Sequence, residues 1–193
     1  MRLFVAIELS EEVRAAIHEV QRSLGRECGD VRWVRADLMH LTVKFLGEVP
    51  DSQVVAVSRA VAEAAGSSSP FELSVSQCGC FPERGAVRVI WAGGQRAGAP
   101  LLAHVAAVEK AAEAIGFPPE PRPFSPHVTL GRVKDDRSRG KIRSAVEAAR
   151  MREASQWVSS VSLMSSALSG GGPTYSVVSR SQFGQGPSVG STS

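Results

Sequence analysis

The chain has 193 residues, 43% of them hydrophobic and 21% charged, which suits one globular domain or two closely packed lobes and excludes a disordered or fibrous protein. A net charge of +3 and a pI near 9.0 favour anionic ligands mildly, so they permit a nucleic-acid partner without demanding one. No apolar run approaches ~18 residues and no signal-peptide profile opens the chain, so a cytoplasmic protein is expected.

Residues 2–9 alternate as a buried strand, and Ser10 then caps a helix over 11–24 with Val13, Ile17, Val20 and Leu24 at helical spacing. Strands are predicted near 31–34 and 39–46, and a second helix over about 52–65 ends at Gly66-Ser67-Ser68-Ser69-Pro70. Strands near 71–78 and 86–92 follow, then an Ala-rich helix over 98–115 that stops at Gly116-Phe117-Pro118-Pro119. A strand over 127–133, a short basic helix over 138–149 and strands near 155–164 and 174–180 complete the ordered part. Residues 182–193 are rich in Gly, Ser and Pro with little to bury, so a flexible tail is expected after a single two-lobed domain at 1–181. This order predicts an α+β fold of two related lobes.

Two tetrapeptides stand out: His40-Leu41-Thr42-Val43 and His127-Val128-Thr129-Leu130. Successive strand side chains alternate between faces, so His40 shares a face with Thr42, and His127 with Thr129, while the apolar residues turn to the core. The chain has four His and four Thr. A given His has about a 2% chance of a Thr two places on, so two such pairs arise by chance roughly once in 400. An imidazole and a hydroxyl, presented twice, suit a phosphate held between two histidines. The other two, His18 and His104, have no such threonine and are expected to be structural or surface residues.

The paired motifs resemble the signature of the two-histidine phosphoesterase superfamily. More closely, the chain resembles the RNA 2',3'-cyclic phosphodiesterases, also called 2'-5' RNA ligases. The likeness runs from Met1-Arg2-Leu3-Phe4-Val5-Ala6-Ile7 to about Tyr175. It takes in Arg32-Trp33-Val34, Lys44-Phe45-Leu46-Gly47, Pro70-Phe71-Glu72-Leu73, Arg122-Pro123-Phe124, Gly131-Arg132-Val133 and Gly172-Pro173-Thr174-Tyr175. The segment Leu163–Gly172 is richer in Ser and Gly than the family pattern. The resemblance implies pseudo-symmetric lobes of antiparallel-rich sheets with outer helices flanking a central cleft. It implies hydrolysis of RNA 2',3'-cyclic phosphate ends, or of cyclic nucleotides, to 2'-phosphate products. His40 would donate the proton to the leaving oxygen, and His127 would accept one from water. Arg132 stands where the family has a ligand-contacting arginine.

Histidine suits both proton transfers, since its ordinary pKa near 6.5 leaves both protonation states accessible. Thr42 and Thr129 can donate hydrogen bonds to the non-bridging phosphate oxygens. This chemistry requires no metal or other cofactor. Strict alternation sends Arg132 to the face opposite His127, unless Gly131 bends the strand or the side chain reaches round its end. By parity Lys44 falls beside the phosphate or is solvated, and Phe45 falls on the core side. Trp33, Phe81 and Tyr175 are either packing residues or platforms for a base. The basic run over 132–143 either follows an RNA backbone or forms a solvated surface. Cys28, Cys78 and Cys80 are expected as free thiols, and a monomer is expected. The rival readings are 2'-5' RNA end joining, a non-catalytic RNA-end or nucleotide binder, and a metal-binding module built on the histidines and cysteines.

Overall fold

The computed structural model describes residues 1–29, 31–94, 98–170 and 172–184. In chain order the elements are β1 (Arg2–Glu8), α1 (Glu11–Gly25), β2 (Val31–Trp33), β3 (His40–Glu48), α2 (Val54–Gly66), β4 (Phe71–Val75), β5 (Gln77–Phe81) and β6 (Val89–Gly93). They continue with α3 (Ala99–Ala114), β7 (Val128–Val133), α4 (Lys141–Ala148), β8 (Ala154–Val158), β9 (Ser160–Ser169) and β10 (Gly172–Gln182).

Alternating apolar residues build one sheet in the order β10-β9-β1-β3-β7-β6-β5, with β2 also paired to β7. Its strand pairs are all antiparallel. The expected lobes are its two halves, β10-β9-β1-β3 and β2/β7-β6-β5. They meet at a single bridge between Leu41 and Val128, inside the two histidine motifs. Helices α2 and α3 pack on the first half, while α1 contacts β2 and α4 contacts β5. Leu3, Val5, Ile7, Leu41, Val43, Val128 and Leu130 are buried in the main core. On the other face of the first half, Phe4, Ala6 and Met164 form a small separate cluster against Tyr175.

Two expected strands are in fact broken. The strand near 71–78 divides into β4 and β5, and that near 155–164 into β8 and β9. The chain changes sheets at Ser76 and Ser159, because β4 and β8 pair with each other in a separate two-stranded ribbon. The basic helix is shorter than expected, at 141–148. At the C-terminus, Gln182 still belongs to β10 and Phe183 is buried, stacked on Phe71 at 5.9 Å. Order therefore runs past the boundary expected at 182, because that aromatic side chain has a core to enter. The rest of the expected tail, 185–193, lies outside the described residues.

Helix α1 begins as its sequence predicts: the Ser10 side chain accepts from the Val13 N–H at 3.2 Å, with Glu11 and Glu12 in the first turn. Its buried Gln21 has a less obvious task. One side-chain nitrogen donates to Val34 O at 2.6 Å and to Leu130 O at 3.0 Å, tying the helix to an irregular point where β2 and β7 meet.

Candidate active site

The Leu41–Val128 bridge fixes how the motifs face each other. Antiparallel register places His40 level with Thr129 and Thr42 level with His127, all four on one face. The histidines then occupy diagonal corners, with Cβ atoms roughly 7–8 Å apart by strand geometry. Both imidazoles are anchored alike. His40 Nδ1 lies 2.9 Å from Leu38 O, and His127 Nδ1 lies 2.8 Å from Ser125 O. A carbonyl can only accept, so each Nδ1 carries a hydrogen and each Nε2 is left to exchange protons with a ligand. The threonine hydroxyls have no partner among the described residues.

Aromatic rings bracket the imidazoles. Tyr175 meets His40 edge-on at 5.2 Å, and Phe81 meets His127 edge-on at 5.1 Å. Phe4 lies 4.8 Å from His40, and Trp91 stacks on Phe81 at 5.5 Å. A side chain on Gly79 would collide with the Trp91 indole, so the glycine makes room for it. His40 is desolvated, and this depresses its pKa below the ordinary value; the positive charge of Arg132 pushes in the same direction, against the hydrogen bond to Leu38.

Strict alternation fails at a matching place in each motif strand, and β3 has a second irregularity at Leu46. Opposite β1 the register skips Val43, and opposite β6 it skips Leu130. Val43 and Leu130 are equivalent positions, 87 residues apart like the histidines. Each bulge moves the following residues to the other face. Lys44 thereby turns inward: it is 2% exposed, paired with Glu109 at 2.7 Å and bonded to Pro118 O at 3.0 Å. The expectation that it edges the phosphate or stays solvated is overturned. Phe45, expected on the core side, is instead 60% exposed on the histidine face, 6.2 Å from Phe4. Sequence reasoning missed it because nothing local marks a bulge; only its equivalence to Arg132 across the repeat hinted at it. Arg132 reaches the histidine face for the same reason, level with Val89 and near enough to His40 to act on its charge. Gly131 supplies the room behind, where a Cβ would strike Val31 and Trp33.

Trp33 lies on that opposite side, near Gly25 of α1, away from any base. Part of the basic run is engaged in structure. Arg143 donates to Pro82 O and Gly85 O, Arg137 pairs with Asp135 at 2.6 Å, and Asp136 accepts from the Val87 N–H. Cys78 and Cys80 face the core, opposite the Gly79–Phe81 side, and burial raises both thiols to about 11. No group of three His, Cys, Asp or Glu among the described residues is arranged to hold a metal ion. No helix among them is long and apolar enough to cross a membrane.

Known proteins share this fold. The chain matches the model of the family described as LigT like Phosphoesterase over residues 7–91 and 95–175. An RNA 2',3'-cyclic phosphodiesterase of Methanothermobacter thermautotrophicus is 31% identical over 176 residues, 91% of this chain and 95% of that protein. The crystal structure of TT0787 from Thermus thermophilus superposes with a TM-score of 0.79 at 29% identity, covering 96% of this chain and 99% of the other. E. coli LigT complexed with 3'-AMP gives 0.75 at 28% identity, covering 95% and 98%. The two-lobed sheet is thus that of the two-histidine phosphoesterases, and the protein is an enzyme of the phosphodiesterase class. Within that class, the chain belongs to the LigT-like phosphoesterase family.

Proposed function

We propose that this enzyme hydrolyses RNA 2',3'-cyclic phosphate ends to 2'-phosphate ends, using His40 and His127 as acid and base and no metal. One observation carries the reading: two imidazoles, each with Nδ1 tied to the carbonyl two residues earlier, stand diagonally across one face with a threonine hydroxyl beside each. The name RNA 2',3'-cyclic phosphodiesterase borne by relatives, and the 3'-AMP bound by E. coli LigT, agree with it.

In the proposed reaction water attacks phosphorus on the side opposite the 3' oxygen, and His127 Nε2 takes its proton. The bond from phosphorus to the 3' oxygen breaks, and protonated His40 gives its Nε2 proton to that oxygen. The products are a 2'-phosphate and a free 3'-hydroxyl. Exchange with solvent then restores His40 to its protonated form and His127 to its neutral one. Thr42, Thr129 and Arg132 hold the non-bridging oxygens, where charge builds in the transition state. Each histidine contributes ~10²–10⁴-fold as a general acid or base. Because the proton transfers and charge stabilisation are covered by side chains, no step calls for a Lewis acid. Phe45 and Tyr175, rather than Trp33, are the aromatics placed to meet a base.

The test is product analysis of an RNA oligonucleotide ending in 2',3'-cyclic phosphate, with EDTA present. A 2'-phosphate end formed at an undiminished rate is expected. A 3'-phosphate product, or activity lost to the chelator and restored by a metal, would overturn the reading.

A further inference from the structure

One arginine on the histidine face plays no part in the reaction above. In the β2–β7 ladder Arg32 stands directly opposite Arg132. Val31 and Trp33 flank Arg32 and point to the Gly131 side, so Arg32 projects onto the same face as Arg132 and the histidines. Both arginines are exposed, and neither has an ion pair among the described residues. Like charges directly opposite on a ladder destabilise it, so this pairing wants an anion between them. The place is specific. β2 and β3 lie along the same edge of β7, so Arg32–Arg132 continues the row formed by His40–Thr129 and Thr42–His127. With the extra residue of the bulge removed, it lies two strand rises, roughly 7 Å, beyond Thr129. The Arg32 guanidinium also lies beside the start of β10: its Nη2 sits 3.5 Å from where a Cβ of Gly172 would be. At φ +110 that residue is best served by glycine.

We propose that Arg32 completes, beside Arg132, a second phosphate subsite that takes the 5'-phosphoryl group of the terminal nucleotide. The inference rests on the reaction proposed above and makes the enzyme selective for RNA ends over bare cyclic nucleosides. The phosphoryl group could be a terminal monoester or the diester linking the preceding nucleotide; both present at least two non-bridging oxygens that share negative charge to a guanidinium fork.

The experiment compares kcat/KM for a nucleoside 2',3'-cyclic phosphate, the same compound bearing a 5'-phosphate, and a dinucleotide ending in the cyclic phosphate. Wild type, Arg32→Gln and Arg32→Lys are assayed. Wild type should prefer the two 5'-phosphorylated substrates by roughly tenfold or more, the scale of a charge-assisted hydrogen bond. Arg32→Gln should bring that ratio close to one through KM, Arg32→Lys should keep part of it, and rising salt should erode it. A preference for the dinucleotide alone assigns the subsite to a diester. No preference in wild type, a preference that survives in Arg32→Gln, or an equal loss on all three substrates would overturn the proposal. If wild type turns over none of them, the catalytic reading fails by itself. The subsite is then decided by affinities for a nucleoside 2'-phosphate and a nucleoside 2',5'-bisphosphate. Tighter binding of the bisphosphate that is lost in Arg32→Gln supports it, and equal binding sinks it.

Discussion

Gln21 offers a test of how the site is held in shape, because it bonds to neither His40 nor His127 yet grips the bulge that aims Arg132. Its side-chain nitrogen serves two carbonyls, Val34 O at 2.6 Å and Leu130 O at 3.0 Å. Leu130 O also accepts the Val34 N–H at 2.8 Å and keeps that bond when Gln21 is removed. In Gln21→Leu, then, Val34 O loses a buried donor, at about 1–3 kcal/mol, and Leu130 O loses a second bond, at about 0.5–1.5 kcal/mol. The added apolar atoms return about 1 kcal/mol. The net loss is about 0.5–3.5 kcal/mol, which for a chain of this size lowers Tm by roughly 1–14 °C. Gln21→Glu, equal in size, would set a carboxylate oxygen against both carbonyls and should be worse. Thermal denaturation of the three proteins measures the effect, and kcat/KM should fall with it as the bulge relaxes and Arg132 loses its aim. A Tm for Gln21→Leu equal to that of wild type, or a Gln21→Glu protein as stable as wild type, would refute the clamp.

Other consequences are open to measurement. Desolvation and the nearby positive charge of Arg132 depress the His40 pKa, and the proposed role needs His40 protonated. Activity should therefore decline as pH rises through that pKa, and Arg132→Ala should move the decline to higher pH; NMR titration of the imidazole checks the shift directly, and an unmoved or lowered pKa would contradict it. His104 is buried and its pKa is pushed down to about 4 by desolvation. Its folded pKa lies below its unfolded one, so its stabilising contribution is present above pH ~6.5 and is lost as pH falls from there toward about 4. The loss amounts to roughly 3 kcal/mol, and urea unfolding across that range should show a slope that His104→Phe abolishes. Phe45, exposed beside Phe4, should contribute to nucleotide binding and not to folding. Phe45→Ala is expected to raise KM severalfold, up to the ~1–3 kcal/mol of a lost base stack, at unchanged Tm; an unchanged KM would return Phe45 to an idle surface residue.

Much of this site could be read from the sequence because strand alternation is a local rule. It placed His40 with Thr42 and His127 with Thr129, and the α1 stripe from Val13 to Leu24 was equally plain. Alternation also explains the errors. A bulge exists only relative to a partner strand, and nothing in Thr42-Val43-Lys44 announces that β1 will skip Val43. Lys44, Phe45 and Arg132 were therefore undecidable or misassigned until the register was known. Likewise, the breaks at Ser76 and Ser159 depend on β4 and β8 finding each other across the chain. The Arg32–Arg132 pair, a hundred residues apart in sequence, is visible only in the ladder.

The central claim is that two histidines divide one proton relay. Single-turnover hydrolysis of an RNA oligonucleotide with a 2',3'-cyclic phosphate end by His40→Ala, His127→Ala and the double variant tests it most directly, with binding of a 2'-phosphate-ended oligonucleotide measured in parallel. Each single variant should lose ~10²–10⁴-fold in rate while still binding, and the double variant should lose less than the product of the two, since the pair acts as a unit. Turnover near the wild-type rate in either single variant would contradict the two-histidine account.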